Sequence, residues 1–374
     1  MIRQGAPRTL AFLILILSLL WTVQGSVLSA VPGGSAAAPA WEPFCTFGSE
    51  LFPSYLVTVS MLNSTEEIDN KAQPNILGSL YGALAVRVKA PADGTAVKIV
   101  MEGEKFIRKS TFEGVLKKGG QEYEIYPYVK YDYDALLSVH QAVPEDLTVA
   151  VWLNGEALGE QTMTLRVRTI NDCVFEIVCS DTTDDISWSF SAYVNETHPA
   201  LEPILKSALQ GGSISSFAGY QGDKESVRAE IEAIWNALKQ RGIKYSDIST
   251  PVARSDYVAC QHVRLLGESI NYGQANCVDG TVLLASLLRK IGLKTYLMLT
   301  SDHAFLGVDL TEDGKNRIYI ETTLIDEGTL DEAIEAGRDN VKEYGGKKDL
   351  TTVDVDEWRD RGVMPLKDTE AEKR

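Results

Sequence analysis

The chain changes character once, at the acidic stretch SDTTDD (180–185), and that change constrains the fold more than any other feature of the sequence. Before it, short segments rich in Val, Tyr, Thr and Leu are separated by turn signals: YLVTVSML, LYGALAVRVKA, VKIVMEG, QEYEIYPYV, LTVAVWLNG and TMTLRVRT. They read as strands, with LNGEALG as the hairpin turn between the last two. After it the pattern is helical. PALEPILKSALQGG opens with Pro199, and KESVRAEIEAIWNALKQRGI sets Val227, Ile231, Ile234, Trp235 and Leu238 on one face before stopping at Gly242. The expected class is α+β: an all-β sandwich over 45–180, then an α+β domain over 181–346. The remaining 347–374 are expected to form a tail in which VDVDEWRDRGVMPL packs back on the domain ahead of a charged, disordered end.

The first thirty residues have a separate reading. Arg3 and Arg8 precede the apolar run LAFLILILSLLWTV (10–23), and small residues follow in VQGS and VLSA. That is the layout of a secretory signal peptide, with Gly25 and Ala30 as alternative cleavage points. The run is shorter than the roughly 20 residues of a membrane span, so membrane association is expected only if the signal stays uncleaved. The chain is therefore expected to be exported, to the periplasm, the cell envelope or the exterior, with VPGGSAAAPA opening a linker over 31–44. The roughly 330 residues that follow exceed one typical core and suggest two domains. A net charge of -16 offers no basic stripe to nucleic acid and is repelled by anionic lipid, so neither is an expected partner.

Five cysteines, Cys45, Cys173, Cys179, Cys260 and Cys277, leave at least one thiol unpaired within an exported chain. Cys173 and Cys179 flank the strand-like FEIV and lie too far apart along an extended segment to bond to each other. A bridge from Cys45 to one of them would tie the entry of the first domain to its exit. No CxxC or Cys/His cluster suggests a structural metal, and no Walker, Rossmann or EF-hand spacing suggests a nucleotide or calcium. No cofactor is expected.

The stretch 257–325 carries the chemistry. CVDGTVLLASLLRK reads as a helix closed at Gly292, which places Cys277 at the helix N-terminus, where unsatisfied amides and the helix dipole stabilise a thiolate. KTYLMLT and HAFLGVDL read as consecutive strands with His303 near their turn, and EDGKN leads into RIYIETT with Glu321 on the neighbouring strand. A cysteine helix packed on a sheet carrying a histidine and an acid is the arrangement of a nucleophile, its base and an orienting group. Taken singly, Cys277 reads as a small buried residue and His303 as a strand histidine bonded to a carbonyl. Cys260 and His262, two apart on an expected helix, point in different directions and are not assigned catalysis. Asp279 is read as a capping or structural residue, and Arg264 as the partner of a domain acid, with recognition of a substrate carboxylate as the alternative.

GQANC, ASLLRKIGL, DHAF and YIETT in this order, reinforced by ALKQRGIKY and QHVRLLGESINYGQANC, resemble a bacterial branch of the transglutaminase-like superfamily within the papain-like group. The resemblance covers roughly 190–345. It implies that Cys277 attacks a carbonyl, His303 acts as base and then acid, and Glu321 fixes the imidazole tautomer. The family's usual third residue is Asp; here it is Glu, followed by Thr322 rather than Pro. Gln274 and Gln261 are candidate oxyanion donors beside the Cys277 amide. The expected activity is hydrolysis or transfer of a peptide or isopeptide amide on a protein or peptide substrate, cell-wall peptide included. The alternative is a non-catalytic scaffold of the same fold in the cell envelope.

Overall fold

The computed structural model describes residues 40–63, 73–79, 81–178, 182–246 and 252–368. The expected signal segment, most of the expected linker, Cys179 and the extreme C-terminus lie outside them. The architecture is mixed α+β with several sheets.

The first half holds β1 (Trp41–Cys45), α1 (Pro53–Met61), β2 (Ile76–Gly78), β3 (Leu84–Lys89), β4 (Thr95–Gly103), β5 (Ser110–Leu116), β6 (Glu122–Tyr126), β7 (Val143–Leu153) and β8 (Glu156–Val167). One sheet runs β1-β3-β6-β2; in the other, β8, β7, β4 and β5 are neighbours in that order. Strand period sets the buried face: along β4, Thr95, Val97, Ile99 and Met101 are buried while Ala96, Lys98 and Glu102 are exposed. The β7–β8 hairpin turns on Asn154 (φ 50°) and Gly155 (φ 84°), the pair of left-handed residues that a two-residue turn needs.

One expected strand is a helix. YLVTVSML falls in α1, which Pro53 opens at a position where a missing N–H costs nothing. Its β-branched residues suggest a strand, but Pro53 to Thr58 are all buried, so the segment has no polar face to betray its period. It packs on β9 (Asp172–Val178), where the Ser54 hydroxyl donates to the Asp172 carbonyl at 2.5 Å.

The second half continues with α2 (Leu201–Gln210), α3 (Lys224–Gln240), β10 (Val258–His262), α4 (Leu266–Tyr272), α5 (Cys277–Lys290), β11 (Thr295–Leu299), β12 (Ala304–Asp309), β13 (Arg317–Ile320), α6 (Leu330–Lys347), β14 (Thr351–Asp354) and α7 (Val355–Asp360). Val227, Ile231, Ile234, Trp235 and Leu238 of α3 are all buried, as their spacing predicts. α5 is the central helix, with every residue from Val278 to Leu288 buried, and it packs on β11 and β12. The antiparallel sheet runs β13-β12-β11-β14. Residues of the expected tail thus supply its edge strand and α7. One apolar core joins the halves, with Phe52, Val149, Trp235 and Leu283 among its members.

Two local expectations fail. Cys260 and His262 lie on strand β10, not on a helix, so they share a face; the Val258–Gln261 run is buried against β9. The Cys45 bridge is absent: Cys45 and Cys173 are both free thiols, and the Cys45 Sγ donates to the Glu50 carbonyl at 3.2 Å. Among the described residues no helix is long and apolar enough to cross a membrane.

Candidate active site

α5 begins at Cys277 for a local reason. Asn276 is its N-cap, accepting from the Asp279 N–H at 2.8 Å, while Asp279 accepts from the Asn276 N–H at 3.1 Å. This reciprocal box fixes where the first turn starts and leaves the Cys277 N–H without an intrahelical acceptor. Asp279 is also held by the Arg264 N–H at 2.8 Å and its Nη1 at 2.6 Å, which directs the carboxylate into the cap. Both residues are therefore structural, as read from sequence.

His303 sits one residue before β12. The Thr300 N–H donates to the His303 carbonyl at 2.9 Å and the His303 N–H to the Thr300 hydroxyl at 2.9 Å, closing the β11–β12 turn. The fully buried Phe305 ring stacks against the imidazole, centroids 6.1 Å apart at 25°. Glu321 follows β13, whose Ile320 pairs with Leu306 of β12, and its Oε2 lies 2.6 Å from His303 Nε2. Cys277 and His303 line one cavity, and the neighbouring thiol favours the charged imidazole.

Burial of the ring opposes protonation of His303, but Cys277 and Glu321 outweigh it and push its pKa up to about 10. Burial likewise opposes ionisation of Glu321; the bond to His303, supported by Thr323, holds its carboxyl below the ordinary value. The side chains are 21% and 7% exposed, so the pair is only partly screened by water.

Both oxygens of the Glu321 carboxylate are held. Its Oε1 accepts from the Thr323 N–H at 3.0 Å and the Thr323 hydroxyl at 2.7 Å, and its Oε2 accepts from Asn340 Nδ2 at 2.7 Å. Thr322 instead ties the strand end to the helix. Its hydroxyl donates to the Cys277 carbonyl at 3.3 Å and meets the Thr281 hydroxyl at 3.2 Å. Gly280 permits this approach, since a Cβ there would lie 3.1 Å from Thr322 Oγ1. Proline after the acid would lack that link. The sequence does signal the Thr323 contact, through an acid two residues ahead of a threonine at a strand end. Asn340 carries no comparable signal.

Cys277, half-buried, opens into a cavity of about 340 Å³ between two sheets. Phe175 and Gln261 come from one wall, and Leu299, His303 and Thr351 from the other. Asp185 and Asp302 are exposed at its rim. Gln261 is therefore brought to the cavity that Cys277 lines, its Nε2 donating to the His262 carbonyl at 3.2 Å. Gln274 is not: it pairs beside Lys244 in a short parallel ladder and does not line the cavity. Among the described residues no group of three or more His, Cys, Asp or Glu side chains is placed to hold a metal ion. His140 and His262 stay outside the site, and His198 is buried with its Nε2 3.3 Å from Asp368 Oδ2.

No protein-family model matches this chain, and no curated protein matches it.

Proposed function

We propose that this chain is an exported thiol enzyme with a transglutaminase-like domain behind a β-sandwich, cleaving or transferring a peptide or isopeptide amide through Cys277, His303 and Glu321. The observation that carries this reading is the 2.6 Å contact between His303 Nε2 and Glu321 Oε2, with Cys277 at the start of a buried helix and lining the same cavity as the imidazole. A buried carboxylate on one ring nitrogen fixes the tautomer and favours the imidazolium, the partner a thiolate needs.

In this reading Nδ1 takes the Cys277 proton and the thiolate adds to the substrate carbonyl carbon. The C=O electron pair moves to oxygen, where the Cys277 N–H and, after release from the His262 carbonyl, Gln261 Nε2 are the available donors. Collapse breaks the C–N bond, and His303 returns its proton to the departing amine. The thioester then passes to water, deprotonated by His303, or to an amine; the C–S bond breaks and the thiol is restored. Water gives hydrolysis and an amine gives transfer. The cavity, walled by Phe175 and Leu299 and rimmed by carboxylates, suits a peptide segment more than an anionic ligand. The test is the pH dependence of Cys277 alkylation in the wild-type chain and in His303→Ala.

A further inference from the structure

α6 approaches the site more closely than an ordinary helix could. A Cβ at Gly337 would lie 2.5 Å from the Tyr319 carbonyl oxygen and 2.9 Å from the Ile320 nitrogen, so only glycine lets the helix backbone rest on β13 there. The Glu321 N–H donates to the Ala333 carbonyl at 2.9 Å, tying the end of the strand to the same helix. Asn340 lies three residues beyond Gly337, about one helical turn. Its Nδ2 reaches Glu321 Oε2 at 2.7 Å, the oxygen that faces His303 Nε2 at 2.6 Å. Oε1 is meanwhile occupied by the two Thr323 donors.

A glutamate has one more rotatable bond than an aspartate, and its carboxylate plane is free to turn unless both oxygens are held. Thr323 alone holds one oxygen and leaves the other to swing about it. We propose that Asn340 is a positioning residue for His303: by fixing the second carboxylate oxygen it aims Glu321 at Nε2, and so makes a glutamate competent where a shorter acid needs no such support. Asn340 is not a catalytic residue, since it acts through Glu321. Its bearing on turnover rests on the thiol-enzyme reading above; the geometric claim does not.

The sign of one measurement separates positioning from simple charge stabilisation. A donor that only stabilised the anion would, when removed, leave Glu321 a stronger acceptor and move the His303 titration upward. A positioning donor, when removed, lets the carboxylate turn away and moves it downward. The experiment follows the His303 ring protons by NMR against pH in the full-length chain, in the wild type, in the near-isosteric Asn340→Leu and in Asn340→Ala, which guards against misfolding of the first. The expected result is a lower His303 midpoint in both variants, with Cys277 alkylation near pH 7 slowed about tenfold, the loss of one charge-assisted hydrogen bond. An unchanged or raised midpoint overturns the positioning role. Were wild-type Cys277 itself inert to alkylation, the enzyme reading would fail while the midpoint still decided the part played by Asn340.

Discussion

Asp279 Oδ2 and Arg264 Nη1 lie 2.6 Å apart, with the Asp279 side chain fully buried two residues after Cys277. A carboxylate so near Cys277 would oppose a thiolate if it faced the sulfur. It faces instead into the helix cap, where Arg264 and the Asn276 N–H share it. Asp279→Ala removes the side-chain half of the capping box and breaks the buried pair, and should destabilise the chain by about 3 kcal/mol. Urea denaturation measures this; a loss within about 0.5 kcal/mol, the scatter of a neutral surface change, would place the charge outside the stabilising network.

Gly337→Ala tests the close seat of α6 on β13. The added methyl meets backbone atoms of Tyr319 and Ile320, which cannot rotate aside. Overpacking of this kind costs about 1–3 kcal/mol, read as a fall in thermal midpoint. An unaltered midpoint would mean that the helix can lift from the sheet freely.

The raised titration of His303 carries a pH signature. An unfolded histidine titrates near 6.5 and the folded one near 10, so between those values the native state binds the extra proton. Stability from this group is fully present below about pH 6.5 and is lost as pH rises through about 10. Glu321, shifted downward, contributes above its ordinary range and loses its contribution in acid. Unfolding free energy measured from about pH 6 to about pH 10, the window between the two titrations, should therefore fall more steeply in the wild type than in His303→Gln. Equal slopes would show that the imidazole gains nothing from its neighbours.

The other described cysteines should be silent in the native state. Burial pushes the Cys45 thiol up to about 12 and Cys260 up to about 11, and Cys173 is pushed higher still. Each is expected to resist iodoacetamide until the chain is unfolded, which peptide mass spectrometry resolves site by site. Native labelling of Cys173, 1% exposed, would mean that the core opens readily.

The helix from Cys277 to Lys290, the place of Cys277 at its start and the three strands that follow were legible because local signals agree there: a cap, an apolar run, a glycine stop and tight turns. α1 was not, because burial on all sides erases helical period and leaves β-branched composition to mislead. Cys260 and His262 were misplaced for a related reason, a five-residue buried strand having too few residues to declare its period. The same limit separates Gln261 from Gln274: each is a polar residue near the cysteine in sequence, and only the pairing of β9 with β10 carries one of them to the cavity. Asn340 is further still from view. Its role depends on how α6 docks, which spacing within the helix cannot encode.

The central claim is that Cys277 is an activated thiol whose reactivity depends on His303. Its most direct test is the rate of iodoacetamide labelling at Cys277 against pH, located by mass spectrometry, in the native full-length chain and in His303→Ala. The account predicts rapid labelling that persists below about pH 7 in the wild type and is lost in the variant. A Cys277 that labels slowly in the folded wild-type chain, or equally fast without His303, would contradict it and favour a binding scaffold that keeps the arrangement without the chemistry.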